Sequence, residues 1–482
     1  MSMITKAKPG RLLSTTALVV LCLGALFVAV AFGRDSQLHF VVAAIIVLLA
    51  LGSLWWTFRK ANEWTTRHDF FAPTVAFVVA YLAWFSLGSA NVFDLPDDLA
   101  AGTFSPIPAS QWGFYLLGLA GYLLAWRVGM RKTDVLPNQF NVRNNWNPTR
   151  FWRVVVLLAF CMLASGALQV AQFGVPGLSP LAGEERLGIR GIPHFLFVSC
   201  AFTLVVVIPS YLWTRSTTRG RKIAAALFVV FVMIALPLTQ GGRSDLVISL
   251  TTLFLIFHYL KRRATLFFLA GSAAVCLIAL SLAGYARDYS LSGGEHMDWL
   301  DMLGLPPWMV PMLYVLLYVR YTVATFRDVT VMIPSQVHYQ YGALSFAALK
   351  TPLPGHHEMS DAFFKNMLGS EFIGGGQPAT LLGPLYGDFG ALGILAGMFV
   401  FGLIVSRAYQ RMNRNRTLLS VMLYAWILQT GLMGLFGSLF TYLITLSTPL
   451  LWIVFDWLVT TPIDKPSVPT HPVFLNGATE QP

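Results

Sequence analysis

Arginines carry the most distinctive chemistry in this chain. A guanidinium presents a planar fork of donors that matches phosphate oxygens, and it stays charged at any physiological pH. Six of them, Arg186, Arg190, Arg243, Arg287, Arg320 and Arg327, occupy stretches that otherwise hold few bases, and they are candidate ligands for a diphosphate. Arg243 lies in Gly241-Gly242-Arg243-Ser244-Asp245, where glycines let backbone amides approach an anion just ahead of a helix N-terminus. An ion pair with Asp245 is the competing use. Arg186 and Arg190 belong to the loop 174–194, whose five glycines and three prolines exclude a continuous helix. Glu184 and Glu185 beside them are equally placed to neutralise them. Arg320, Ala324 and Arg327 are separated by four and three residues, so they share one face of a helix expected over 308–327. That face either turns to protein and ligand or lets the arginines snorkel toward headgroups.

Groups able to take a proton cluster in the same region. His356 and His357, in Pro354-Gly355-His356-His357-Glu358, are the first candidates, because a histidine titrates near neutrality and its surroundings tune it. Adjacent loop histidines also serve as solvated or loop-stabilising residues. Glu358, Glu371 and Asp388 stand behind them, and Asp388, next to Tyr386 in Tyr386-Gly387-Asp388, is alternatively a hydrogen-bonding group for a sugar or an arginine. Trp299, Trp308, Tyr314, Tyr318, Tyr321, Tyr339 and Tyr341 could stack on sugar faces or form an interfacial aromatic belt. Cys22, Cys161, Cys200 and Cys276 show no metal-ligand spacing and fall in apolar runs, so the expected metal and cofactor content is none. No Walker or dinucleotide motif is present, which leaves a substrate bond or a gradient as the energy source.

These residues need a frame, and composition supplies it. The chain has 482 residues, 56% hydrophobic and only 11% charged, a balance that excludes an ordinary soluble domain. Runs of about 20 apolar residues, the length that crosses a hydrocarbon core, are expected near 12–32, 38–58, 70–90, 111–129, 152–173, 194–214, 222–240, 244–260, 265–286, 389–406, 417–436 and 438–458. With the N-terminus inside, the even number of crossings puts 24 of the 33 Lys and Arg on the cytoplasmic side, the bias that orients membrane proteins. Both termini are then cytoplasmic, and 287–388 becomes a large extracytoplasmic insert. Nucleic acid is not an expected partner, because the basic clusters are short and flank spans. The expected organisation is a single membrane domain over 1–458, with a disordered, proline-rich cytoplasmic tail over 459–482.

Four features together resemble a known family: the loop ending Leu178-Ser179-Pro180-Leu181-Ala182-Gly183-Glu184-Glu185-Arg186, the turn Gly241–Asp245, the late large loop, and the stretch from Gly374-Gly375-Gly376-Gln377-Pro378 to Tyr386-Gly387-Asp388-Phe389-Gly390 leading into a span. This set is similar to the Wzy-type oligosaccharide repeat-unit polymerases, bacterial inner-membrane proteins of O-antigen and related pathways. The resemblance covers roughly residues 150–410. It implies an all-α polytopic fold of about twelve transmembrane helices with short helices in the extracytoplasmic loop. It also implies an undecaprenyl-diphosphate-linked oligosaccharide as substrate, membrane lipid around the protein, and a chain-length regulator protein as a partner. On this expectation the six arginines hold the leaving diphosphate, His356, His357 or Asp388 takes the proton, and Tyr386 and Glu371 contact sugar. O-antigen ligases share the same plan and remain an alternative. A transporter of lipid-linked glycans is disfavoured by spans that carry almost no central acid.

Overall fold

The computed structural model describes residues 69, 71–89, 107–108, 110–129, 142–175, 191–215, 218–240, 244–261, 278, 281–282, 285, 310–350, 359–369, 376–437 and 442–460. All regular elements among them are helices: α1 Pro73–Ser89, α2 Ser110–Gly129, α3 Pro148–Phe173, α4 Ile192–Thr214, α5 Arg219–Gln240, α6 Ser244–Leu260, α7 Val310–Met332, α8 Ala347–Lys350, α9 Ser360–Met367, α10 Leu382–Asn415, α11 Leu418–Gly434 and α12 Leu443–Val459. Four of these, α3, α4, α5 and α10, are long and apolar enough to cross a membrane, while α1, α6, α11 and α12 are apolar but shorter. The expected spans 12–32 and 38–58, nearly all of 265–286, and the tail beyond residue 460 lie outside the described residues.

Local sequence explains several boundaries. Asn147 caps α3 by accepting hydrogen bonds from Thr149 N (2.9 Å) and Arg150 N (3.2 Å), with Pro148 at the first helical position. Thr417 caps α11 through Ser420 N in the same way. The largest departure from the sequence reading is α10, expected from 389 and found from Leu382. Leu382–Asp388 already forms a helical segment, and the chain breaks at Phe389 and Gly390 before continuing to Asn415. Gly390 has φ +63 and ψ −145, a backbone state that only glycine enters without strain, so the Gly-Asp-Phe-Gly run marks an interruption within a helix rather than its start.

The main helices alternate in direction, which gives the bundle two distinct ends. At one end the strand-like stretch 142–147 crosses between helix termini. Arg143 N donates to Arg416 O (2.8 Å), Asn147 N to Val459 O (2.8 Å), and Trp146 Nε1 to the Asp456 carboxylate (2.6 Å). Asn144 Nδ2 reaches Thr214 Oγ1 at 2.6 Å, and Arg215 donates to the carbonyls of Asn144 and Trp146. Arg150, Arg153, Arg219, Arg221, Lys222, Lys261, Arg407, Arg411 and Arg414 belong to helix ends on this side, which we call the basic end. Below it, Asp69 and Phe71 together tie four helices. Its carboxylate accepts from Tyr259 Oη of α6 (2.7 Å) and Tyr409 Oη of α10 (3.0 Å), lies 3.3 Å from His258 Nε2, and receives Phe71 N. Tyr424 of α11 closes the ring by donating to Phe71 O at the start of α1.

Packing depends on how closely backbones approach. α2 and α10 meet along small residues: a Cβ at Gly121 would come within 2.6 Å of Leu395 O, and one at Gly402 within 2.8 Å of Tyr122 O. Close approach of this kind is how helices associate where no hydrophobic force drives them together. α4 is buried over Phe197–Ile208, whereas α3 turns Val156, Leu157, Phe160 and Leu163 outward, each more than half exposed. An apolar stripe of that size is a surface suited to lipid.

Candidate functional site

At the end opposite the basic one, which we call the distal end, α7 lies against α1 and the N-terminal part of α10. It was expected to stop at Arg327 and instead continues to Met332. Arg320, Ala324 and Arg327 share a face as their spacing requires, and that face is turned into the protein: the three residues are 4%, 1% and 7% exposed. Arg320 donates to the carbonyl of Gly88 near the C-terminus of α1 (2.9 Å), where a cation complements the helix dipole. Gly88 permits the contact, since a Cβ there would press within 2.9 Å of Val323 Cβ. Arg327 forks onto its neighbour Asp328, with Nε at 2.8 Å and Nη2 at 2.7 Å from Oδ1. Burial, and then the Arg327 charge, lower Arg320 to about 10, so it remains a cation at physiological pH. Burial likewise raises the Asp328 carboxyl, against the opposing pull of Arg327.

Downstream of α7 the chain folds back onto α10. Asp388 is 0% exposed, and both its oxygens are engaged: Leu344 N donates to Oδ1 (3.1 Å) and Ser345 N to Oδ2 (2.6 Å). Backbone bonds from Gln340 N to Gly387 O (2.9 Å) and from Tyr341 N to Asp388 O (3.3 Å) complete the seam. Tyr386 points the same way, its hydroxyl donating to Ile333 O (3.3 Å) and its ring packing edge-on against Phe114, Phe326 and Tyr339. The helical turn before the break in α10 therefore holds the 340–345 turn and the end of α7 in place.

Of the residues singled out in the sequence, Arg320, Arg327, Tyr386 and Asp388 come together at this end. Arg186, Arg190, Arg243, Arg287, His356, His357 and Glu371 lie outside the described residues. Their described neighbours are informative: Gly191 caps α4 and Ser244 opens α6, two packed helices whose N-termini both face the distal end. Cys161 and Cys200 are unbridged thiols on α3 and α4. No metal-binding group of three His, Cys, Asp or Glu occurs among the described residues.

A second polar cluster at this end was not read from the sequence as a site. Asp361 of α9 accepts from Tyr442 Oη at 2.9 Å, and its own carbonyl accepts from Gln377 N at 2.9 Å. Gln377 Nε2 lies 3.5 Å from Thr325 Oγ1 of α7. Burial, followed by the Asp361 and Tyr318 charges, pushes the Tyr321 phenol up, which places Tyr321 in the same field. The available signal was Gln377 itself, which lies inside the glycine-rich stretch that carried the family resemblance.

A family model described as "Putative O-antigen polymerase" matches residues 14–437. No curated protein and no solved structure matches the chain.

Proposed function

The chain belongs to the O-antigen polymerase family, and from that premise we propose that it joins undecaprenyl-diphosphate-linked oligosaccharide repeat units at the outer face of the bacterial inner membrane. It is an all-α membrane protein with a role in polysaccharide polymerisation. The single observation that carries the reading is the family match over residues 14–437. In the proposed reaction the growing glycan, attached through its anomeric carbon to the lipid diphosphate, is transferred to a hydroxyl at the non-reducing end of an incoming unit. The bond from the anomeric carbon to the diphosphate oxygen breaks, and a bond to the acceptor oxygen forms. The acceptor proton passes to a base, and the diphosphate leaves with its lipid. The energy is already stored in the sugar diphosphate bond, which accounts for a chain that carries no nucleotide motif.

Within that scheme the roles divide according to burial and sequence position. Arg186, Arg190, Arg243 and Arg287 are assigned to the diphosphate, whose charge grows as it departs. Arg320 and Arg327, packed into protein, act through their charge over a range of about 10 Å rather than as direct ligands. His356 or His357 takes the proton and Glu371 contacts sugar. Asp388 and Tyr386 act as positioning residues, because the hydrogen bonds of Asp388 and the Tyr386 hydroxyl are committed to backbone groups. Arginines retained on the less basic side support this division, since the orientation bias disfavours bases there.

The test is a deletion strain complemented with wild type or with His356→Ala and His357→Ala alleles, its surface polysaccharide resolved on a gel. Loss of the ladder with a single attached repeat unit is the expected deletion phenotype. Bare lipid core with no attached repeat would instead assign the chain to ligation, and an unchanged ladder would remove both readings.

A further inference from the structure

The transfer chemistry above makes no use of the cluster around Asp361, although four separate stretches of chain build it. α9 contributes Asp361, the segment entering α10 contributes Gln377, α7 contributes Thr325 and, one turn earlier, Tyr321, whose carbonyl accepts from the Thr325 hydroxyl (2.9 Å), and Tyr442 stands immediately before α12. Gly437, just past α11, faces the same carboxylate, and a Cβ there would lie 3.9 Å from Asp361 Oδ2. Gln377 is 8% exposed, and its Oε1 has no hydrogen-bond partner among the described residues. Turning the amide over would offer the oxygen to Thr325 and strand the nitrogen instead, so one end of a buried amide is unmet in either orientation. Unmet buried polar atoms are costly, and sites that bind hydroxyls are where they recur. Aromatic rings border the cluster: Tyr318 and Trp84 lie 6.1 and 6.4 Å from Phe436. Asp361, Tyr318, Tyr321, Phe436 and Tyr442 are all only partly buried.

The chemistry selects among ligands. A carboxylate accepts, an amide accepts and donates, and phenols do both, which is the mixture that neighbouring sugar hydroxyls require. Aromatic faces complement the apolar C–H face of a sugar ring. A phosphate is disfavoured, because Asp361 would repel it. A sugar held here is therefore one distant from the diphosphate. We propose that Asp361, Gln377, Tyr321 and Tyr442 form a subsite that recognises hydroxyls on the non-reducing sugar of the acceptor. This assignment rests on the polymerase reading.

The test uses the full-length protein in detergent and, as probe, the host's repeat-unit oligosaccharide released from its lipid by mild acid. Binding is followed by saturation-transfer NMR, and elongation of lipid-linked repeats is assayed in parallel. Asp361→Asn and Tyr442→Phe are each expected to weaken glycan binding about tenfold and to raise the acceptor KM with little change in kcat, at an unchanged thermal midpoint; tenfold corresponds to about 1.4 kcal/mol. Wild-type binding and KM in both variants, beside a wild-type protein that elongates, would overturn the subsite alone. If Asp361→Asn fails to fold, Tyr442→Phe decides by the same criterion. A wild type that neither elongates repeats nor binds the glycan would overturn the polymerase reading, and the subsite with it.

Discussion

Replacing Asp388 with asparagine isolates the hydrogen bonds that hold the distal seam. The carboxylate is fully buried and serves Leu344 N at 3.1 Å and Ser345 N at 2.6 Å, one amide per oxygen. Asparagine has one acceptor oxygen, so it keeps one of these bonds, without charge, and sets an NH2 against the other amide. A hydrogen bond to a charged group contributes about 1.5–3 kcal/mol, and a buried donor left unmet costs about 1–3 kcal/mol, so opening of the 340–345 turn should become easier by about 3 kcal/mol. That is a shift of about a hundredfold in the local opening equilibrium. Hydrogen–deuterium exchange mass spectrometry in detergent reads it directly: Leu344 and Ser345 should exchange about a hundredfold faster, while the interior of α10 beyond Gly390 keeps its protection. Polymer chains should shorten in the same variant, because the turn and the end of α7 lose their anchor together. Unchanged exchange at these two amides would show that Asp388 does not hold the turn, and would return its carboxylate to the list of candidate bases.

Two further substitutions probe the anion site and the packing that supports it. Arg243→Ala should abolish chain extension at normal protein level, and Arg243→Lys should restore only part of it, because a point charge cannot reproduce the fork; a normal ladder from the alanine variant would take Arg243 out of the site. Gly121→Leu introduces a side chain where even a Cβ would sit 2.6 Å from Leu395 O. It should cost about 3 kcal/mol or more, seen as a lower thermal midpoint and loss of monodisperse protein in size-exclusion chromatography.

Sequence reading served the two ends of this molecule unequally. Where a turn signal meets an apolar run, as at Arg243-Ser244-Asp245, the expected start of α6 at residue 244 and its end at 260 are the observed ones. The shared face of Arg320, Ala324 and Arg327 was likewise legible, since helical spacing alone fixes it. What spacing could not supply was the environment of that face, which depends on Gly88 being small enough to let α7 settle onto α1. α10 was misjudged because glycines flanking Asp388 are ordinary loop signals, and only the left-handed backbone at Gly390 shows that they interrupt a helix. The cluster around Asp361 was not legible for a different reason. Its partners Tyr442 and Gln377 are 81 and 16 residues away in the chain, and no local pattern links them.

The Asp69 ring makes the two ends of the bundle mechanically unequal. One carboxylate fastens α6 and α10 to the entry of α1 beneath the basic surface through two phenols, a histidine and a main-chain amide, and breaking it would strand a buried acid. At the opposite rim the buried Asp388 carboxylate holds the 340–345 turn rather than several helices, and α10 is interrupted beside it at Phe389 and Gly390. The assembly is thus built like a clothes-peg, with its spring on the side of the positive charge and its jaws at the distal end.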